Sequence, residues 1–421
     1  MQIGSKRNHG NNEYIFIDGV AMRADEAVRV QLDQADIATL ASASSVPQPA
    51  EAQLMVENKR SMRRKCVVFG IALLALFLAS LCVSAEYYAR FYSPVDVLQC
   101  ALHLPKLAFL FLADQGSYTI EHQAVVIALP MYDDFVARLM ADIKFIFAGA
   151  LLAVSGMLYQ SAFRNPIAAP SMLGVSNGVS LALVVLVLQY GAAALSMIGQ
   201  YYVYSFIGGA LILALVVAGG YLSSEKGHLN TVNMLLIGTV VSQLVGVIIS
   251  YLQTSRMGDT SWTIYYQLQT AVGLTTQWTY ITLIGGAFVA LVPVFVLRFR
   301  LNLISFSDAE TRLLGVNPTA LRLVALGCGS LMVLVAQVNV GQVAMASLIL
   351  PFVSRAVFGS EFRKQLAGNI LLGGILLLVC GVVVQLVIVN GVPVDLGTVV
   401  TVIALPLFVW MLVIRQKNWG D

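Results

Sequence analysis

From residue 67 onward the chain alternates long apolar runs with short polar breaks. Runs of about twenty apolar residues are long enough to cross a bilayer as helices. Ten fit this pattern: near 67–84, 143–161, 171–190, 201–222, 234–252, 278–297, 321–338, 341–357, 366–390 and 397–415. Backbone groups in lipid must be satisfied within the segment, so each run is expected to be a helix. The expected fold is therefore all-α, a polytopic integral membrane protein. One further apolar stretch, 97–113, is interrupted by His103, Pro105 and Lys106, and reads as an external piece lying at the interface.

Residues 1–60 break the pattern. They are polar, with charges of both signs. EYIFIDGV reads as a short strand, ADEAVRVQLDQADIATL as a helix and ASASSVPQPA as a linker. The expected organisation is a polar cytoplasmic extension over 1–60 and a membrane domain over 61–421. A flexible extension and a small regulatory module are both open for the arm. Because it precedes the first apolar run, that run does not read as a removable signal peptide.

Charge orients the helices. RSMRRK, ending at Lys65, abuts the first run. With the N-terminus in the cytoplasm and ten alternating spans, the external segments hold only Arg90, Lys106, Arg138, Lys144 and Arg256. The other twenty of the 25 Lys and Arg fall inside, as the positive-inside rule requires. Both termini are then cytoplasmic, in a cell membrane whose lipid surrounds the spans.

Composition narrows the function classes. Hydrophobic residues make up 58% and charged residues 11%, against about a quarter charged in soluble domains, and mean hydropathy is +0.81. The net charge is only +3, and no basic stripe interleaved with aromatics suggests nucleic acid. Five cysteines (Cys66, Cys82, Cys100, Cys328, Cys380) and four histidines are scattered without metal-ligand spacing. No cofactor is expected. No Asp, Glu, Lys or Arg falls in the middle of an expected span, which disfavours ion-coupled transport and membrane hydrolysis. No GxxxxGK[ST] motif is present, so energy for uphill transport would come from another subunit.

Two breaks are more structured than connectors need. In GALLAVSGMLYQSAFRNPIAAPSMLGVSNG (149–178), Arg164, Asn165, Pro166 and Pro170 stop one helix and set the entry of the next. Gly174, Ser176, Asn177 and Gly178 then suit close packing, with Gly174/Gly178 as one small-xxx-small pair and Gly208/Gly209 and Gly373/Gly374 as other candidates. In LNLISFSDAETRLLGVNPTALRL (301–323), Ser307 and Glu310 fit a capping box and predict a short helix to about Leu314. Gly315 suits the left-handed residue that ends it. Asn317 then caps a second helix with Pro318 at its first position. Two short capped helices suggest a docking element; an amphipathic surface loop is the plainer alternative.

These blocks resemble the permease subunits of ABC importers for iron-siderophores, haem and cobalamin, the type II importers. AVSGMLYQSAFRNPIAAPSMLGVSNG is similar to the pattern SGxxxQxxFxNPLAxPxxLGVSxG, and LNLISFSDAETRLLGV to LNxLSLGExxAxxLGV. LILPFVSRAVFGSEFR and PLFVWMLVIR are similar to GLIVPHxxRxxxGxDHR and PxFxWLLL. The resemblance covers about 138–415. It implies two permease copies or paralogues sharing a pathway, ABC ATPase subunits below, and an extracytoplasmic binding protein delivering a metal chelate. Ser307, Glu310, Arg312, Leu314, Gly315, Val316 and Asn317 would belong to the coupling helices near 307–320. Asn230 and Thr231 occupy the family's cytoplasmic gate; Thr231 or Asn233 also suits a cap for the fifth helix.

The departures are specific. The family's RLPR reads RLMA here, so Arg138 matches and Ala141 replaces the second arginine. Gln385 stands at another outward basic position. Arg138, Arg90 and Arg256 are the candidates for docking a binding protein, or else interfacial anchors. Ala169 replaces the acid of NPLAxP, and Phe352 and Phe362 replace two histidines. The resemblance points to an iron-siderophore permease, with haem or cobalamin as the alternative cargo. An ion-coupled transporter and a membrane scaffold are the competing classes.

Overall fold

The computed structural model describes residues 3–9, 12–17, 20–23, 49–82, 93–113, 115–129, 131–223, 231–270, 277–305, 308–389 and 392–417. It divides into two units, Met1–Arg64 and Lys65–Asp421. The first contains an antiparallel meander of β1 (Ile3–His9), β2 (Asn12–Ile17) and β3 (Val20–Arg23). EYIFIDGV is thus divided between two strands, paired from Tyr14↔Arg23 to Ile17↔Val20. The helix expected over ADEAVRVQLDQADIATL lies outside the described residues. The end of the expected linker is helical, because Pro49 opens α1 (Pro49–Ser80), a helix that carries the basic run into the apolar one.

The second unit is a helical bundle. It comprises α2 (Pro94–Ala113), α3 (Gln115–Ala128), α4 (Tyr132–Ala162), α5 (Val175–Tyr190) and α6 (Ile198–Leu222). Then follow α7 (Thr231–Arg256), α8 (Asp259–Thr270), α9 (Gln277–Leu301), the short α10 (Asp308–Leu313) and α11 (Pro318–Val340). The chain continues through α12 (Ala344–Phe358), α13 (Phe362–Leu386), a two-stranded ribbon Ile388–Val389/Val392–Pro393, and α14 (Leu396–Lys417).

Seven of the described helices have the length and composition to cross a membrane: α4, α5, α6, α7, α9, α11 and α13. Met345–Phe358 and Leu396–Val409 are shorter apolar helices. With the apolar half of α1, they account for the ten runs. The stretch 97–113 falls in α2, which carries Pro105 inside it.

Two boundaries differ from expectation. α4 begins at Tyr132, not near 143. Asp133 and Asp134 in its first turn favour the positive end of the helix dipole, and no breaker separates them from the apolar run. α11 begins at Pro318 and runs unbroken to Val340, so the second short helix expected after Asn317 is the start of a span. Nothing in TALRLVAL stops a helix, and Asn317 caps the whole length.

The core is built on α4, which packs along α11, α12 and α13. Close approach there needs missing side chains. A Cβ on Gly149 would collide with the carbonyl of Gly373, and a Cβ on Gly373 with that of Gly149. Gly178 of α5 and Gly208 of α6 oppose each other in the same way. A smaller apolar cluster of Leu81, Cys100, Leu107, Val125, Tyr132 and Phe135 joins the end of α1 to α2, α3 and the start of α4.

Candidate functional site: the α4–α5 turn and the α9–α11 segment

The chain between α4 and α5 turns sharply. Arg164 has φ +48°, the one non-glycine at positive φ among the described residues. Asn165 Oδ1 accepts from Ile167 N at 3.1 Å, and Asn165 O accepts from Ala168 N at 3.1 Å, which closes the turn. Pro166 lies in the turn, and buried Pro170 opens a 3₁₀ helix, Pro170–Leu173. Gly174 (φ +74°) ends it, and a Cβ there would come within 2.6 Å of Ser242 Oγ. Gly174 is therefore the pivot into α5 rather than part of a helix face. Asn177 Nδ2 donates to Ser242 O on α7 at 2.8 Å. The carbonyl of buried Ser176 accepts from Gln337 Nε2 of α11 at 3.3 Å.

The segment between α9 and α11 is also built in detail. A 3₁₀ turn, Asn302–Ser305, leads toward α10. Thr311 Oγ1 donates to Leu303 O at 3.2 Å and ties α10 to that turn. Gly315 takes φ +75°. Asn317 Oδ1 accepts from Thr319 N (3.0 Å) and Ala320 N (3.3 Å) and caps α11. Val316 packs against the core. Glu310, Arg312, Leu313 and Leu314 are exposed, Leu313 at 86% and Leu314 at 58%. Two adjacent leucines this open at the end of a pinned surface helix are an apolar contact patch. Ser307 lies outside the described residues.

Asp308 joins the two regions. Arg164 Nη2 reaches its Oδ1 at 2.9 Å, and Arg322 Nη2 the same oxygen at 2.5 Å. Arg322 Nη1 donates to Oδ2 at 3.2 Å, giving a forked pair. Arg164 Nε also donates to Ile304 O at 3.1 Å. Partial burial opposes ionisation of Asp308, but the guanidinium of Arg322, with Arg164 behind it, outweighs this and holds the carboxyl below its ordinary value. Sequence reasoning missed Asp308 and Arg322. The signal was available: Asp308 sits between Ser307 and Glu310, and Arg322 is the charge nearest the start of α11.

Other contacts gather at the same end. Asn302 Oδ1 accepts from Phe362 N at 3.3 Å, and the guanidinium groups of Arg298 and Arg363 lie 5.1 and 5.2 Å from the Phe299 ring. Phe362, in place of the family's histidine, is buried in the core. Arg355 donates to Gln160 Oε1, and its guanidinium lies 4.8 Å from the ring of Phe352, the other replaced histidine.

The remaining candidates disperse. Thr231 is the first residue of α7 and Asn233 lies within it, so neither precedes the helix as a cap. Asn233 Nδ2 instead reaches Ser223 O at the end of α6 at 3.4 Å. Asn230 and Arg90 lie outside the described residues, as does the Thr231 side chain. Arg256 is exposed at the far end of α7, roughly 38 Å from Thr231 at the helical rise.

Arg138 corrects its expected role. It is buried in α4 and paired with Asp142, with Nη2–Oδ1 at 3.0 Å and Nε–Oδ2 at 3.3 Å. Ser80 Oγ of α1 donates to Asp142 Oδ2 at 2.5 Å. Since α4 starts eleven residues earlier than expected, Arg138 sits inside packed helices rather than on an external surface. Lys144, placed outside by the charge count, is buried too, 5.8 Å from the Phe145 ring.

At the end opposite Asp308, a neutral network links three helices. Tyr202 OH lies 3.0 Å from Thr279 Oγ1 and donates to Asn339 Oδ1 at 3.1 Å, and Thr282 Oγ1 donates to the same oxygen at 3.3 Å. The described residues hold no group of three or more His, Cys, Asp or Glu placed to bind a metal.

A bundle of apolar helices with glycine crossings, and a pinned, partly exposed helix between two spans, is that of a multi-pass membrane permease. The chain belongs to the FecCD transport family, whose pattern matches residues 107–414. Proteins of this family are ABC transporter permease subunits, which are not themselves enzymes. Among similar proteins, a probable iron chelatin transport system permease of Helicobacter pylori is 29% identical over 277 residues, covering 65% of this chain and 80% of the relative. A vitamin B12 import system permease of Salmonella paratyphi A is 29% identical over 293 residues, covering 65% and 82%. A hemin transport system permease of Yersinia pestis is 27% identical over 284 residues, covering 67% and 83%. A solved structure, an inward-facing conformation of a metal-chelate type ABC transporter, superposes with a TM-score of 0.65 at 20% identity. It covers 83% of this chain and 99% of the other, and supports the fold.

Proposed function

We propose that this chain forms the membrane pathway of an ABC importer for a metal chelate, an iron-siderophore first and haem or cobalamin second. Two copies, or this chain and a paralogue, enclose the pathway. ABC ATPase subunits dock against α10, an extracytoplasmic binding protein delivers the chelate, and both termini face the cytoplasm. The observation that carries this reading is α10 itself, a six-residue helix that ends at exposed Leu313, is followed by exposed Leu314, and is anchored to the bundle through Asp308 and Thr311. The iron chelate assignment follows the iron chelatin permeases among its relatives.

The test is co-purification with a candidate ABC ATPase subunit. Leu314→Asp and Gly315→Pro are expected to abolish the complex while the permease still inserts. Gly315 holds φ +75°, which proline cannot adopt. Unchanged ATPase binding by both variants would remove the docking assignment. Substrate follows from ATP-dependent uptake of labelled siderophores, haem and cobalamin into proteoliposomes holding the full complex.

One observation supports a second reading, an ion-coupled transporter: Arg138, Asp142 and Lys144 lie buried in α4. Uptake that needs a proton or sodium gradient and no ATPase would establish it in place of the first.

A further inference from the structure

The geometry points to Asp308 as an ionic latch that carries displacement of α10 into the α4–α5 turn and into α11. This inference rests on the reading of α10 as the ATPase-docking helix and adds the route by which docking reaches the pathway.

Three observations carry it. First, two arginines from separate elements converge on one carboxylate at the head of α10, at 2.5 and 2.9 Å. Arg322 has 8% of its side chain exposed, and Asp308 is its ion-pair partner, so losing the carboxylate strands a largely buried cation. Second, the arginines are rooted in the two most enclosed spans. Arg164 lies two residues past the end of α4 and Arg322 in the second turn of α11, and the apolar parts of both spans are mostly buried. A movement passed to them enters the centre of the bundle rather than its exposed rim. Third, Arg164 adopts a left-handed backbone and spends Nε on Ile304 O, so turn and guanidinium are committed together. Beyond this turn lies Gly174, the pivot against Ser242 of α7. The latch therefore joins α10 to α4, α5 and α11 through charge.

The experiment uses the full complex of permease and ATPase. Exposed Ile167, in the turn, is replaced by cysteine in a chain whose five native cysteines are replaced by alanine or serine. Its maleimide labelling rate is measured with and without ATP plus vanadate, alongside ATPase retention. With Asp308 intact, nucleotide is expected to change the rate roughly tenfold, within the usual range of coupling between sites. Asp308→Asn is expected to keep the ATPase bound and lose most of that change, and Asp308→Glu to restore it. Arg164→Gln, at a half-exposed position that folding tolerates better, is expected to behave like Asp308→Asn. A full nucleotide response in Asp308→Asn or Arg164→Gln would overturn the latch, as would loss of the ATPase from either, which would make these residues part of the docking contact. If the unaltered chain itself binds no ATPase, the docking reading fails, a result separate from failure of the latch.

Discussion

α4 and α11 differ from α7 and α9 in a way that hydropathy does not register. The four are similarly apolar, yet the apolar parts of the first pair are mostly buried and those of the second pair mostly exposed. What separates them is where their small and polar side chains lie: buried against other helices in the first pair, whereas Thr239, Gln243 and Ser250 of α7 are exposed. The enclosed pair carries Gly149, Ser155, Gly156, Tyr159 and Gln160 on α4, and Gly329, Ser330, Gln337 and Asn339 on α11. Ser155 Oγ donates to Gly329 O at 2.7 Å across the α4–α11 contact. The outer pair exposes Val240, Leu244, Val247, Phe288 and Val296. Lipid tails are as apolar as leucine, so apolarity alone gives helices no reason to associate in a membrane. Close backbone approach and interhelical hydrogen bonds do.

Four measurements would break or sharpen that contrast. The largest effect is expected from Asp142→Ala, which leaves Arg138 buried without its carboxylate; removing one partner of a buried pair costs about 3–5 kcal/mol. Thermal unfolding in detergent should show the loss, and a shift no larger than that of an exposed substitution would show that solvent reaches the pair. Next is Gly149→Val, which drives a side chain into the Gly373 backbone; overpacking of this kind costs about 1–3 kcal/mol or more. Its counterpart on the outer set, Gly285→Ala, meets nothing within 4 Å and should be neutral or stabilising by up to ~1 kcal/mol. Equal effects at the two glycines would erase the distinction.

A third measurement concerns pH. Asp308 is held below its ordinary pKa, so its stabilisation is complete above the unfolded value, about 3.9, and is lost as pH falls through the lower folded value. The stability gap between the unaltered chain and Asp308→Asn should stay constant from neutral pH to about 4 and close below it. A gap that closes near neutral pH would contradict the two-arginine setting. The smallest effect is expected from Phe288→Ala on α9, where an outward side chain should change stability by no more than ~0.5 kcal/mol. A much larger loss would mean that another chain covers this face of α9.

Much of this architecture was legible in local chemistry. The ten apolar runs all became helices, and Gly315 and Asn317 adopt the left-handed and capping geometries that their residue types favour. Capping and turn preferences act over a few residues, so they can be read in order along the chain. Partnerships across the fold cannot. Arg164 and Asp308 are separated by 144 positions, and nothing near either residue names the other. α4 starts ahead of its apolar run because Arg138 and Asp142, one turn apart, neutralise each other within the helix, a pairing that hydropathy does not register. The paired glycines were visible only as small residues; which of them meet, Gly149 with Gly373 and Gly178 with Gly208, is decided by helix crossings.

The backbone at Arg164 has one last consequence. A left-handed residue with a side chain costs about 1–2 kcal/mol relative to its right-handed alternative. Glycine would remove that cost but lose both guanidinium contacts, so thermal robustness alone gives little reason to prefer either residue. A guanidinium at φ +48° is a tension kept in the hinge, offset only while Ile304 O and Asp308 hold it. Screening substitutions at residue 164 separately for robustness and for throughput should therefore find glycine close to arginine on the first scale and near the bottom of the second.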